Sequence, residues 1–259
     1  MRPRDYRSVK MKPKHNRHYQ RGEHHRRRTV EARLEILYED DAIVAVNKPP
    51  GLPAVPIVKG SEKPSALSLL SAELKRKHQR AYVVHRIDRF TSGVLLFAKT
   101  QKDRAALIEQ FLSHTPVRQY LAVVRGHIAE ESGALVHFLR RTGMFQRVSN
   151  AGDRNSSKAE LEYSVERFLR GASLVRVTLL TGLQNQIRVQ FSAIGHPVVG
   201  DRKYHPEEAL EQRISRVALH AAHLEFTHPR SGKTISLDCE IPADFRSLVR
   251  SLAPERPKH

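Results

Sequence analysis

Short apolar runs of strand length follow one another along this chain with few helical stretches between them, and that order restricts the fold more than any other feature. Leu34–Tyr38 leads through the turn pair Asp40-Asp41 into the β-branched run Ala42-Ile43-Val44-Ala45-Val46, which ends at Asn47-Lys48-Pro49-Pro50-Gly51. The spacing predicts a hairpin followed by a rigid loop. Tyr82-Val83-Val84 and Val94–Ala98 enclose a polar segment from His85 to Ser92. Further runs at Tyr120–Val124, Leu135–Phe138, Ala159–Phe168, Leu174–Leu180, Ala218–Phe226 and Thr234–Leu237 also read as strands. Helices are predicted at three places only. One is Pro64–Arg80, where Leu67, Leu70 and Leu74 recur and Lys75, Arg76 and Lys77 load the end that favours cations. The others are Gln101–Ser113 and Asn185–Ile194, the latter ended by Gly195 and Pro197. Strand directly after strand implies an α+β fold with a mixed, mainly antiparallel β-sheet core and flanking helices, not a doubly wound parallel sheet.

Charge narrows the partners. The formal charge is +18, and residues 1–30 hold 11 Lys+Arg against 2 Asp+Glu, so half of the excess lies in that segment. Each cation laid against a phosphate releases condensed counterions, so nucleic acid or the ribosome is the expected partner. Almost nothing apolar repeats before Val30, so residues 1–30 are expected to be a disordered basic arm, ahead of one folded domain over 31–250 and a frayed end at 251–259. The arm is rich in His and Pro and lacks an amphipathic apolar face, which argues against a transit peptide. Cys239 is the only cysteine, so an internal disulfide is excluded, and it reads as a small buried hydrophobe in a reducing compartment. No run approaches the length of a membrane span, and the reading is a cytoplasmic protein. His24-His25 and His220 with His223 invite a metal, yet no carboxylate cluster completes a ligand set, so no metal is expected.

Asp88 is the residue that chemistry singles out. It is a carboxylate between Arg86 and Arg89, in a polar loop between two apolar strands, and flanking guanidinium groups favour its charged form. An anionic Asp attacks a glycosidic carbon or stabilises an oxocarbenium-like state electrostatically. It also serves as a structural partner of Arg at a turn. Spacing alone does not choose between these.

The segment His85-Arg86-Ile87-Asp88, followed by Thr91-Ser92-Gly93-Val94-Leu95-Leu96-Phe97-Ala98-Lys99, closely resembles the HRLDxxTSGLLLFAK signature of the RluA family of pseudouridine synthases. Asn47-Lys48-Pro49-Pro50-Gly51-Leu52-Pro53 resembles that family's NKPxGLxV loop, and Tyr120-Leu121-Ala122-Val123-Val124-Arg125-Gly126 its YLAxVxG strand. Thr181-Gly182 with Gln186-Ile187-Arg188-Val189 resembles TGRTHQIRVH, and Gly195-His196-Pro197-Val198-Val199-Gly200-Asp201 resembles GHPIxGD. Leu219-His220-Ala221 and His228-Pro229 complete an ordered set covering about residues 34–245.

The resemblance implies the pseudouridine synthase fold and an isomerase that detaches uracil from its ribose, rotates it and rejoins it through carbon 5, with no cofactor. It implies that Asp88 is the catalytic aspartate, Tyr120 the active-site tyrosine and Arg188 the arginine that pairs with Asp88. His85, Arg86, Arg89, Thr91, Lys48 and Asn185 are the expected substrate contacts, with Arg86 or Arg89 filling the gap left by a flipped uridine. The implied partner is RNA, ribosomal RNA ahead of transfer RNA, with ribosomal particles reached through the arm and a monomer as the acting species. One stretch departs from the pattern: Leu183, Asn185 and Gln190 stand where the family has an arginine and two histidines. Those changes leave an alternative, a catalytically silent RNA-binding or ribosome-assembly factor with the same fold.

Overall fold

The computed structural model describes residues 34–57, 63–143, 145–205 and 213–254. The basic arm and the last five residues lie outside the described residues. The described chain forms one sheet in which β1 (Glu35–Glu39) and β2 (Ile43–Lys48) make the expected hairpin. Asp40 closes it by accepting from the N–H groups of Ala42 and Ile43 at 2.8 and 2.9 Å. After α1 (Ala66–Lys75) come β3 (Tyr82–Val83), β4 (Ser92–Ala98) and α2 (Gln101–Leu112). Then follow β5 (Val117–Arg125), β6 (Ser132–Thr142), β7 (Phe145–Ser149), β8 (Ser156–Leu169) and β9 (Ala172–Leu179). The chain closes with α3 (Gln186–Ala193), β10 (Leu219–Thr227), β11 (Thr234–Asp238) and α4 (Ala243–Ser251). The strand order is β1-β2-β4-β10-β5-β9-β8-β6-β7, with β3 on β4 and β11 on β10. Every pairing is antiparallel except β10 with β4, as expected of an α+β chain.

The uninterrupted apolar runs of β2 and β4 follow from burial on both faces. Val44, Val46, Leu95 and Phe97 pack with Ala66, Leu70 and Leu74 of α1. Ile43, Ala45, Val94 and Leu96 pack on the other side with Leu107 of α2. Helix α1 is shorter than predicted, because Ser65 and Ser68 form a reciprocal capping box at its start and the chain turns out after Lys75. The third helix packs Ile187 and Phe191 against β5 and β9, in a cluster that also holds Phe245, Leu248, Val249 and Leu252 of the C-terminal segment. The frayed end expected from residue 251 therefore needs correction: α4 reaches Ser251, and Leu252 is buried.

The parallel contact between β4 and β10 is what brings distant loops together. Gly93 lies opposite Ala221, and Ala221 lies opposite Tyr120, so one row of residues crosses three strands. Gly93 has φ +111°, and a Cβ built there would stand 2.1 Å from the carbonyl oxygen of Ala221. Only glycine fits without parting the strands. Gly93→Ala should cost roughly 3 kcal/mol or more, lowering the thermal midpoint by about 6 °C or more in a scanning calorimeter. An unchanged midpoint would contradict this register.

Candidate active site

Asp88 sits in the loop between β3 and β4, five residues before Gly93 in the strand row just described. The loop is held by main-chain contacts. The Thr91 N–H donates to the carbonyl of Asp88 at 3.1 Å, and the Gly51 N–H donates to that of Arg89 at 2.9 Å. Two buried cations grip the same stretch. The Lys48 ammonium, fully buried, donates to the carbonyls of Pro49, Leu52 and Arg89 at 3.0, 2.8 and 3.1 Å. Arg216 reaches the carbonyl of Phe90 at 3.4 Å, while Asp244 holds its guanidinium at 2.6 and 2.9 Å. Burial pushes the Lys48 ammonium down to about 7, with Asp88 opposing that fall and Arg216 adding to it. Its three acceptors show why it stays where it is: each N–H finds a carbonyl.

Arg188 projects from the first turn of α3 and is nine-tenths buried. Its Nε donates to Asp201 Oδ2 at 2.7 Å and its Nη2 to Asp201 Oδ1 at 2.6 Å, a bidentate pair. Its Nη1 donates to Asn185 Oδ1 at 2.9 Å and reaches Asp88 Oδ2 at 3.5 Å, the outer limit of a hydrogen bond. Burial alone would lower the Arg188 pKa, but the bonds to Asp201 and the charges of Asp201 and Asp88 outweigh it and raise it. The expectation that Arg188 pairs with Asp88 thus needs refinement, because its close partner is Asp201 and Asp88 stands at arm's length. Asp201 is buried and also accepts from the N–H groups of Lys203 and Tyr204 at 3.0 and 3.2 Å. Gly200 makes that turn at φ +78°, where a Cβ would lie 1.9 Å from the Arg216 carbonyl oxygen.

Asp88, Tyr120 and Arg188 line one cavity of about 550 Å³, within the range of small-ligand sites. Burial, with the Asp88 charge adding and Arg118 opposing, pushes the Tyr120 phenol up to about 12, so it keeps its proton at neutral pH. His85 is a wall of the cavity: its ring stacks on Phe111 with centroids 4.6 Å apart, and its Nε2 accepts from the Leu96 N–H at 3.1 Å. Burial, aided by Arg118, pushes His85 down to about 3, so it is neutral and its proton sits on Nδ1.

The expected substrate contacts divide accordingly. Arg86 is exposed and borders the cavity. Arg89 is exposed but turned to the Gly51 carbonyl, to which its Nε donates at 2.8 Å, with its guanidinium 5.2 Å from the Phe90 ring centroid. Lys48 is a correction: no face of it reaches solvent, so it is an internal brace and not an RNA contact. Thr91 is 1% exposed and its hydroxyl has no hydrogen-bond partner among the described residues, so it too shapes the loop from inside. Asn185, at φ +55°, spends its side chain on Arg188 and on the Tyr204 hydroxyl, so its amide orients an arginine instead of meeting RNA.

The unusual stretch 183–190 has structural occupations. Leu183 packs against a small cluster of Leu139, Ala159 and Val189, and the Gln190 amide donates to the carbonyls of Leu135 and Ala159 at 2.9 and 3.1 Å. Gln186 fastens the loop by accepting from the Thr181 hydroxyl and the Leu183 N–H and donating to the Glu160 carbonyl. His220 is likewise internal, bonded to Ser92 Oγ and the Cys239 carbonyl at 2.9 and 3.0 Å. Cys239 is buried, and burial pushes its thiol up to about 12.

The sequence profile described as RNA pseudouridylate synthase matches residues 42–193, more than half of the chain. The chain belongs to that family. Ribosomal large subunit pseudouridine synthase D of Zymomonas mobilis is 36% identical over 231 residues, spanning 85% of this chain and 73% of that one. Dual-specificity RNA pseudouridine synthase RluA of Vibrio vulnificus is 36% identical over 226 residues, spanning 84% and 88%. Human RNA pseudouridylate synthase domain containing 4 shares the fold, with a TM-score of 0.72 at 22% identity over 86% of this chain and 95% of its own. This synthase is therefore an isomerase acting on RNA, of the RluA group that its motifs resemble.

Two site residues were given no role in the sequence reading: Arg118, which lines the cavity, and Asp201, which is buried behind Arg188. Asp201 carried a signal, an acid closing the apolar turn Val198-Val199-Gly200. Replacing it with alanine strands the buried Arg188 and should cost about 3–5 kcal/mol. Asp201→Asn, which keeps the shape, should lower the isomerisation rate by about 100-fold through a displaced Arg188. Urea titration and single-turnover kinetics measure the two, and a fully active Asp201→Asn would contradict the anchoring role.

Proposed function

We propose that this synthase isomerises a specific uridine of ribosomal RNA, with Asp88 as nucleophile, and that transfer RNA is the next candidate. The observation carrying the site assignment is the meeting of Asp88, Tyr120 and Arg188 around a single cavity. The bond between uracil N1 and ribose C1′ breaks with its electron pair left on the base. The base turns, C5 bonds to C1′, the C5 proton leaves and N1 takes one up, so nothing is oxidised or reduced. Asp88 acts at the sugar or base, Arg188 orients it, and Tyr120, a neutral phenol, stacks on the base and passes a proton. Arg86, exposed on the rim, fills the space that the flipped uridine vacates.

Ribosomal RNA is preferred because residues 1–30 carry half of the excess positive charge, a density suited to a large folded RNA or a ribosomal particle. In this proposal residues 1–30 are that arm, 31–250 form the catalytic domain, a monomer is the acting species and the cytoplasm is its place. No described helix is long and apolar enough to cross a membrane.

Mapping pseudouridines in total RNA from cells with and without the gene tests this directly. The expected result is loss of modification at one or a few ribosomal uridines, restored by the full chain and restored less completely by a chain starting at residue 31. Loss confined to transfer RNA would overturn the substrate assignment, and equal restoration by both chains would overturn the role of the arm.

A further inference from the structure

Arg118 lies on β5 two residues before Tyr120, so both side chains leave the same face of the strand, and both line the cavity. It is only 8% exposed. One nitrogen, Nη2, donates to the Leu179 carbonyl at 3.3 Å, and the guanidinium stands 5.9 Å from the centroid of Phe111. Its Nε has no hydrogen-bond partner, and no carboxylate pairs with it among the described residues. Among the described residues the other deeply buried guanidinium groups are compensated, Arg188 by Asp201 and Arg216 by Asp244. A buried cation without a counter-ion is unfavourable, so its retention beside a cavity calls for an anion that arrives. The chain also keeps room for it: a Cβ on Gly182 would stand 2.6 Å from Arg118 Nη1. Burial lowers the Arg118 pKa, with only Tyr120 opposing that fall.

We infer that Arg118 is a further catalytic residue, one that stabilises the negative charge on uracil while the base is detached from its ribose. The inference rests on the isomerase site proposed above and extends it to the leaving group. When the N1–C1′ bond breaks, the electron pair on N1 spreads to O2 and O4 of the ring. A guanidinium offers donors only, so it bonds a carbonyl oxygen and meets no partner in an exocyclic amine. It therefore favours uracil over cytosine as well as its anion over the neutral base. Preorganised charge in a water-poor site acts strongly on such a developing anion, and it acts on the bond-breaking step rather than on RNA binding.

The test uses the full chain in single-turnover reactions, with enzyme in excess over [5-³H]uridine-labelled total RNA from cells lacking the gene. Arg118→Met should lower the limiting rate on the order of 100-fold while the half-saturating enzyme concentration stays about the same. Arg118→Lys should recover part of the loss, and guanidinium ion should partly restore Arg118→Ala. With 5-fluorouridine-substituted RNA, whose detached base is the more stable anion, the Arg118→Met defect should shrink. That reaction is followed by the chromatographic shift of the fluorinated nucleoside. An equal defect on both RNAs, or a defect in binding alone, would overturn the role. If Arg118→Met loses its melting transition, the lysine variant and the guanidinium rescue decide. A wild type silent on both RNAs would instead overturn the isomerase reading, and the Arg118 role would fall with it.

Discussion

One buried guanidinium holds the site together. Arg188 grips Asp201 with two short bonds, takes Asn185 with a third donor and still reaches toward Asp88, joining residues from three separate segments. Neither ion of the inner pair is affordable alone in that environment, so each fixes the other. The surrounding backbone is built to permit the pair: Gly200 turns tightly to present Asp201, and Asn185 takes a left-handed conformation to begin α3. Because Asp201 satisfies most of Arg188, Asp88 faces a cation already committed elsewhere. It is oriented by that charge and left open to the cavity.

The sheet supplies the other half of the constraint. A loop bearing Asp88 and a strand bearing Tyr120 lie apart in sequence, and β10 inserts between their strands. The Gly93 and Ala221 contact sets how closely those strands approach. Lys48 and Arg216 then clamp the carbonyls of Arg89 and Phe90, so the residues just after Asp88 are fastened from inside the protein. Positive charge beneath the Asp88 loop is therefore structural in part and electrostatic in part. The cavity combines that field with a neutral histidine wall and a neutral phenol.

Much of the fold was legible because burial imposes a local pattern. The runs at 42–46 and 94–98 announced strands covered on both faces, and the alternation at 159–168 and 174–180 announced strands covered on one. The β7 strand was not legible: Phe145-Gln146-Arg147-Val148-Ser149 pairs only with β6 at the sheet edge and buries little, so no apolar period marks it. Helix α4 did carry a signal, Phe245, Leu248, Val249 and Leu252 at helical spacing, which went unread beside Pro242. In the site, Asp88, Tyr120 and Arg188 were readable through motifs. The partners that define them were not, because pairing Arg188 with Asp201, or leaving Arg118 without a carboxylate, is a property of the assembled interior. Lys48 shows the reverse error: a lysine in a motif loop suggested a substrate contact, whereas three carbonyls had already claimed it.

Asp88 is proposed to perform the isomerisation. Tritium release from RNA labelled at carbon 5 of uridine measures it most directly, because that proton is lost only when carbon 5 takes the place of nitrogen 1. Release is expected from the wild-type chain, and none above background from Asp88→Asn with its melting transition intact. Release by both, or by neither, would contradict it.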